Sequence, residues 1–167
     1  SPVGSVFSVS EYRITGETGL NILDDSGCIL QTFDVPDSLQ IVHTAWMTEK
    51  DIYASAISEN GYGIYHMDIQ EGIWTNILHP QPVMIKDLRT YGEVLTFVSD
   101  RTGVNELYHL NPTTGDLRQK TSTRHGGESF CYSPNGEYLY YTSPTMKGKL
   151  LFRTRTKDLF DKETDFS

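Results

Sequence analysis

Short runs in which apolar and polar residues alternate recur along this chain, whereas no stretch keeps apolar residues at the 3.6-residue spacing of a helix. Six of these runs fall into two equivalent series with steps of 42 to 44 residues, one beginning at Asp51, Glu93 and Glu137 and the other at Gly63, Glu106 and Lys149. A period in the low forties, built from short β-type runs, is typical of β-propeller blades. The pattern predicts an all-β fold, a β-propeller of about four four-stranded blades.

The repeat predicts one propeller domain over residues 1–167, with repeats at approximately 1–40, 41–83, 84–125 and 126–167. We name the four strands of a blade A to D, from the central axis outward. The predicted strands are 41–47, 51–58, 63–68 and 73–78 in repeat two, 84–89, 93–99, 106–111 and 116–121 in repeat three, and 129–133, 137–143, 150–155 and 160–166 in repeat four. In repeat one, strands B to D are predicted at 8–14, 20–24 and 28–33.

Strand A of the first repeat would need residues before Ser1 or the segment 1–5. An uncovered inner edge is a liability that proteins normally protect. Two interpretations remain open. The chain is either a slice of a longer propeller or a nearly closed ring of four blades, which is the lower end of the blade numbers that propellers use.

Turn-forming residues occur where the repeat requires hairpins. The predicted C–D connections each begin with a short polar side chain that can bond its own backbone and end with a Gly, at 24–27, 68–72 and 111–115. Pro134-Asn135-Gly136 has the same character between strands A and B of repeat four. The C–D turn of repeat four, at 155–158, contains no Gly.

The formal charge of −8 is distributed unevenly. Residues 1–117 hold 5 Lys and Arg against 16 Asp and Glu, whereas residues 118–167 hold 9 against 6. The acidic body argues against nucleic acid as a partner, because phosphate binding needs clustered Lys and Arg. The basic end is either a patch for a partner or a solvated blade face. No apolar run approaches the ~20 residues of a membrane helix, so we predict a soluble segment without a membrane span.

The sequence offers little enzyme chemistry. Cys28 and Cys131 lie far apart without CxxC spacing, which argues against a disulfide framework or a zinc knuckle, and we expect free, mostly buried thiols. His66 and His109 hold equivalent positions in strand C, which favours repeated packing positions over a metal pair. Motifs such as G-x-S-x-G, H-E-x-x-H and the P-loop are absent. We predict a non-enzyme with no catalytic residues, no metal and no cofactor.

Two segments resemble a known repeat. Residues 130–143, FCYSPNGEYLYYTS, resemble the FSPDGKxIxFxS core of WD40-like PD40 repeats, and residues 97–108, FVSDRTGVNELY, resemble its second half, FxSDRxGxxxIY. These are the repeats of TolB-like propellers, and the same blade type occurs beside peptidase domains. Repeat two lacks the Asp-Arg pair, and repeat one shares only the register. Residues 161–166 also resemble blades in large envelope proteins of the Bacteroides group.

The resemblance implies a non-catalytic propeller that serves as a platform for a protein or peptide partner, in the bacterial periplasm or cell envelope. The alternative is the propeller portion of a peptidase or other hydrolase, gating a catalytic domain absent from this chain. Asp100 and Arg101 match the Asp-Arg pair of the repeat. We expect them to form an intra-blade ion pair that braces a loop.

The B–C and D–A loops of a propeller converge on one face, and binding residues concentrate on loops that a rigid scaffold positions. On this face the sequence predicts seven candidate binding residues, His79, Gln81, Arg101, Arg124, His125, Lys147 and Lys149. Together they would form a basic mouth on an acidic body, attractive to an acidic peptide. The alternative is a set of ordinary polar turns. The run His125-Gly126-Gly127 is interpreted as a turn between blades.

The repeat also predicts core positions. Tyr65, Tyr108 and Phe152 recur at steps of 43 and 44 residues, so we expect equivalent buried positions for them in three C strands.

Overall fold

The computed structural model describes residues 4–14, 16–36 and 38–166. Within these ranges the chain forms fifteen β-strands, β1 to β15, and one 3₁₀ turn at Thr156–Asp158, with no α-helix. The strands are arranged in four antiparallel sheets. The prediction of an all-β chain of about four propeller blades is therefore confirmed.

Each sheet is one blade, and its strands follow one another in sequence except for β15, which joins blade three. Blade one contains β1 (Val6–Tyr12), β2 (Thr18–Asp24) and β3 (Ile29–Asp34), and blade two contains β4 (Gln40–Trp46), β5 (Asp51–Ser58), β6 (Gly61–Asp68) and β7 (Ile73–Gln81). Blade three contains β8 (Ile85–Tyr91), β9 (Val94–Ser99), β10 (Glu106–Leu110) and β11 (Leu117–Gln119), and blade four contains β12 (Glu128–Tyr132), β13 (Tyr138–Thr145) and β14 (Gly148–Arg155). Residues 1–3, part of the segment considered for the missing strand A of blade one, lie outside the described residues.

The strand pairing preserves the repeat register in blades two to four. The equivalent pairs are Ala54 with Tyr65, Phe97 with Tyr108, and Tyr141 with Phe152. In blade one, Val9 lies opposite Asn21, one residue out of this register. The departure falls in the repeat where the sequence resemblance consists of register alone.

The predicted strand D of blade four, at 160–166, is wrong. Instead β15 (Lys162–Glu163) pairs antiparallel with β11 and becomes the outermost strand of blade three. Arg118 and Lys120, on or next to β11, both contact the carboxylate of Asp161. These ion pairs hold Asp161, the residue that immediately precedes β15, against β11.

An aromatic contact holds the segment that follows β15. Phe166 is buried, and its ring lies 5.9 Å from that of Phe97 and 5.2 Å from that of Tyr108, edge-on to both. Such edge-to-face pairs stabilise beyond the apolar area that they bury. The end of the chain therefore packs into the core of blade three, and β14 remains the outer strand of blade four.

The core lies between blades as three clusters of buried side chains. Between blades one and two the cluster includes Leu20, Ile41 and Ile52, between blades two and three Ile64, Leu95 and Tyr108, and between blades three and four Leu107, Phe130 and Leu139. The alternation of side chains across each pleated strand directs every second residue into one of these layers. Each cluster thus packs between two blades that are consecutive in sequence.

Two burial predictions need correction. Both Cys28 and Cys131 are exposed rather than buried. Tyr108 is fully buried, but Tyr65 is only half-buried and Phe152 is 37 % exposed. Phe152 stacks on Tyr141, yet β14 has no outer strand to cover it. The repeat therefore gave the right register for Phe152 but the wrong burial.

The hairpin predictions are confirmed in detail. The side-chain oxygens of Asp24, Asp68 and Asn111 each accept a hydrogen bond from the backbone N–H two residues later, at 3.0, 2.8 and 2.9 Å. Each of these turns ends at a Gly with positive φ, Gly27, Gly72 and Gly115. Local turn chemistry therefore specifies the end of the propeller that bears the C–D hairpins, and the B–C and D–A loops lie at the other end.

Candidate functional site

The loop face predicted from the sequence exists as a continuous surface, which we call the rim: residues 82–84, 100–105, 120–127 and 146–147. Two hydrogen bonds connect its loops to one another, and a third connects a loop to β13. The N–H of Met84 donates to Asp100 Oδ1 (2.8 Å), that of Gly127 donates to the carbonyl of Asn105 (2.7 Å), and the hydroxyl of Ser143 donates to the carbonyl of Gly126 (2.6 Å). The rim therefore runs without interruption from blade two to blade four.

Two of the seven predicted residues lie in a strand and not in a loop. His79 and Gln81 belong to the end of β7, which extends three residues beyond the predicted end of strand D. Gln81 pairs with Tyr62 across the sheet, whereas the side chain of His79 is exposed. Both residues border the rim at blade two.

Arg101 has structural partners. Its Nη2 lies 3.7 Å from Oδ1 of Asp165, and its guanidinium lies 4.8 Å from the centre of the Phe166 ring. Asp100 instead accepts the hydrogen bond from Met84. Among the described residues Asp100 and Arg101 form no ion pair with each other, so the expected intra-blade pair is wrong. Asp100 does brace a loop, and Arg101 packs on the end of the chain.

The basic part of the rim lies at blades three and four. Arg124, His125 and Lys147 are exposed, and none of their side chains has a hydrogen-bond or ion-pair partner within the described part of the chain. Lys149 lies at the start of β14, with its Nζ 2.5 Å from Oε2 of Glu128. Three of the seven predicted residues are thus free to meet a ligand here.

A buried carboxylate that the sequence analysis missed positions this region. Glu106 is 1 % exposed, and its Oε1 accepts hydrogen bonds from the N–H (2.6 Å) and the hydroxyl (2.9 Å) of Thr123. Its Oε2 accepts a short hydrogen bond from the Thr121 hydroxyl, which in turn accepts one from the N–H of Leu107 at 2.8 Å. A buried carboxylate with this many donors is fixed in place. It therefore anchors the loop that carries Arg124 and His125.

Two glycines hold the same loop against its neighbours. Gly126 has a φ of +77°, and a Cβ there would lie 3.0 Å from the backbone nitrogen of Asn105. A Cβ on Gly127 would lie 2.3 Å from the ring of Phe130. The loop therefore packs more closely than any side chain would permit, which agrees with the interpretation of this run as a turn between blades.

The two histidines in equivalent C-strand positions have packing partners. His66 Nε2 lies 2.7 Å from Oδ1 of Asp51, and His109 Nε2 lies 2.8 Å from the hydroxyl of Tyr132. Burial is the main cause that lowers the pKa of His109 to about 4. In the described ranges no group of three or more His, Cys, Asp or Glu side chains is placed to hold a metal ion.

Blade one, at the same end of the propeller as the rim, presents acidic side chains in place of a basic surface. A cleft of about 620 Å³ is bordered by Arg13, Glu17 and Asp34 together with the start of blade two. Arg13 lies 3.9 Å from Glu11, 3.6 Å from Glu17 and 4.0 Å from Asp34. One cation therefore faces three carboxylates, whereas the rim at blades three and four presents unpaired cations.

Comparisons with known proteins identify the fold. No family model and no curated protein matches the sequence. A protein described as TolB from Agrobacterium tumefaciens superposes with a TM-score of 0.74 at 18% identity, over 98% of this chain and 62% of that one. TolB from Acinetobacter baumannii gives 0.73 at 14% identity, over 99% and 42%. A puromycin hydrolase gives 0.67 at 14% identity, over 99% and 28%.

This chain therefore spans less than two thirds of the length of these TolB structures. Among the described residues no helix has the length and apolar character needed to cross a membrane. The agreement extends over nearly the whole chain. The fold of this chain is a TolB-like, WD40-like β-propeller.

Proposed function

We propose that this β-propeller module is a non-catalytic platform that binds an acidic segment of a protein or peptide partner. The observation that carries the proposal is the set of exposed, unpaired side chains Arg124, His125 and Lys147 on the rim of a chain with a net charge of −8. A local basic surface on an acidic body concentrates acidic ligands by long-range attraction.

The rigidity of the loop supports this role. Glu106 fixes the loop at Thr121 and Thr123, and the hydrogen bonds of Gly126 and Gly127 fix its far end. Because the backbone that carries Arg124 and His125 is already ordered, binding costs less conformational entropy than it would on a mobile loop. His79 borders the same surface at blade two and extends the region that a ligand could contact.

The likeness to TolB supports a place in the bacterial periplasm or cell envelope. We include this localisation in the proposal on the basis of the fold and of the PD40-like motifs in repeats three and four.

A flexible peptide of alternating Glu and Gly, labelled for fluorescence anisotropy, tests the rim directly. Arg124→Glu combined with Lys147→Glu should weaken its binding about tenfold or more, because two attractive charges become repulsive. Binding should also weaken as salt is added. Lys50→Glu combined with Lys157→Glu is the matched control, since it reverses the same number of charges outside the rim, in the turn between β4 and β5 and beyond the end of β14.

Hydrogen exchange then locates the peptide. Protection in residues 100–105, 120–127 and 146–147 is the expected result. Protection confined to the C–D hairpins, together with unchanged affinity in the double charge reversal, would refute the rim as the binding surface.

The second candidate is the propeller portion of a hydrolase. It is supported by the superposition on puromycin hydrolase, of which this chain matches only 28% of the length. In that case the chain itself would hydrolyse neither ester nor peptide substrates, and its reading frame would also encode an α/β-hydrolase domain. A reading frame that encodes other envelope domains instead would favour the binding platform.

A further inference from the structure

β14 is an exposed edge strand that differs from its counterparts in the other blades. β6 and β10 are each covered on their outer side by the next strand, β7 and β11. β14 ends its sheet in the order β12-β13-β14, and seven of its eight residues are exposed. No described strand other than β13 pairs with it. Every second residue of an edge strand directs its N–H and C=O away from the sheet, which provides a template for another strand.

The chain's own last strand does not occupy this position. β15 pairs with β11 in blade three, where the contacts of Asp161 and Phe166 hold it. Among the described residues, the outer hydrogen-bonding edge of blade four is therefore unpaired, and it lies on the outside of the propeller.

The two faces of β14 differ in chemistry. Leu150 and Phe152 share the face that looks toward blade three, where they are 44% and 37% exposed. Beside this face lies a cleft of about 270 Å³, lined by Tyr141, Leu159 and Phe160 together with polar side chains that include those of residues 120–123. An added strand would place every second side chain beside Leu150 and Phe152.

The opposite face is basic. It carries the three cations Lys149, Arg153 and Arg155, with the exposed Leu151 between the first two. Lys149 contacts Glu128, and Arg153 lies over the ring of Tyr138. Edge-to-edge pairing of two copies would bring these cations together, and like charges on adjacent strands are destabilising. An acidic strand is the complementary occupant.

We propose that blade four binds an extended peptide that alternates acidic and apolar residues, and that this peptide adds to β14 as the fourth strand of the blade. Backbone hydrogen bonds to β14 provide affinity, as in other cases of strand addition. The apolar side chains pack beside Phe152, and the acidic ones meet Arg153 and Arg155. The strand-addition site borders the rim at the cleft of about 270 Å³, which residues 120–123 also line, but neither proposal depends on the other.

The test uses a labelled peptide of alternating Glu and Val, matched to the eight residues of β14, in fluorescence anisotropy with the whole chain. Arg153→Glu should weaken binding about tenfold, because an attractive contact becomes a repulsive one. A peptide with a single Lys in place of the Glu opposite residue 153 should regain affinity for the Arg153→Glu variant. A peptide with central Pro residues should not bind, because Pro cannot donate a ladder hydrogen bond.

Hydrogen exchange and a rim variant separate this proposal from the previous one. Protection should appear in residues 148–155, and Arg124→Glu should leave the affinity for the Glu–Val peptide unchanged. The absence of binding, equal binding of the Pro peptide, or protection confined to the rim would overturn the proposal. A dimer in sedimentation experiments with β14 protected in the absence of peptide would overturn it in favour of a second copy.

Discussion

The guanidinium of Arg118 donates two parallel hydrogen bonds to the carboxylate of Asp161, from Nε to Oδ1 at 2.8 Å and from Nη2 to Oδ2 at 2.9 Å. Lys120 adds a third contact to Oδ1 at 2.8 Å. Bidentate pairs of this kind are directional as well as attractive. Together with the buried ring of Phe166 they form what we call the clasp, which attaches the end of the chain to β11.

Asp161→Asn should loosen the clasp with only a small effect on global stability. The pair is partly exposed, so the expected loss in the free energy of unfolding is about 1 kcal/mol or less. Amides 162–166 should exchange faster, whereas those of β9 should not change. An unchanged exchange rate at 162–166 would show that the ion pair does not hold β15.

The same contact should depend on pH. Hydrogen bonds from Arg118 and Lys120 hold the pKa of Asp161 well below its usual range. A carboxylate with a depressed pKa stabilises the fold fully above its unfolded value of about 4, and this contribution is lost as the pH falls below that value. Amide exchange at 162–166, corrected for its intrinsic pH dependence, should therefore lose protection below about pH 4, and Asp161→Asn should remove that loss.

Phe166→Ala should be far more costly than the loss of the ion pair. Phe166 is 3% exposed and contacts two buried rings, so its truncation should cost about 3 kcal/mol in the free energy of unfolding. Phe160→Ala is the matched control, because Phe160 belongs to the same segment but is 41% exposed. Denaturant unfolding measures both. Equal destabilisation by the two variants would contradict the burial of Phe166.

Glu106→Gln should weaken the anchor of the rim loop. The amide nitrogen of Gln donates and cannot accept, so when the remaining oxygen keeps its bonds from Thr123 the buried hydroxyl of Thr121 loses its acceptor, at a cost of about 1–3 kcal/mol. Faster amide exchange at 121–125 should accompany the loss of stability. Glu137→Gln, in an exposed turn, serves as the control, and similar effects of the two variants would argue against a special role for Glu106.

His109 should make the stability of the fold depend on pH. Burial lowers its pKa from 6.5 to about 4, so between these values the unfolded state binds a proton that the folded state does not. The contribution is complete above about pH 6.5 and falls as the pH drops toward 4, by at most about 3 kcal/mol. His109→Gln should flatten the dependence, and the exposed His125→Gln should not. An unchanged slope in His109→Gln would contradict this assignment.

The sequence predicted the parts of the fold that local chemistry specifies. The Asx-type turns at Asp24, Asp68 and Asn111 and the recurrent aromatic positions were enough to assign the blades and their register. The position of β15 could not be predicted in this way, because β11 and β14 both present an edge beside which β15 could pair. Its pairing with β11 depends on contacts of Asp161 and Phe166 with residues far away in sequence.

The candidate site was predicted only in part, for a related reason. Loop positions follow from the strand order, so the residues at blades three and four were found. Their partners do not follow from it: Arg101 packs on Phe166, and Lys149 pairs with Glu128. The sequence did not single out Glu106 as a buried anchor, because its equivalents in the repeat are Gly63 and Lys149. A lone Glu at the start of a strand is usually solvated.

The clasp also determines the order in which the blades would unfold under a pulling force. Arg118 and Asp161 are 43 residues apart, and all three strands of blade four lie between them. Tension at the C-terminal end acts first on the pair β11–β15, and so reaches blade three while blade four bears no load. Blade four comes under tension only after the clasp has opened. The segment 161–166 therefore bears the tension first and protects blade four, which precedes it in sequence, from being unfolded.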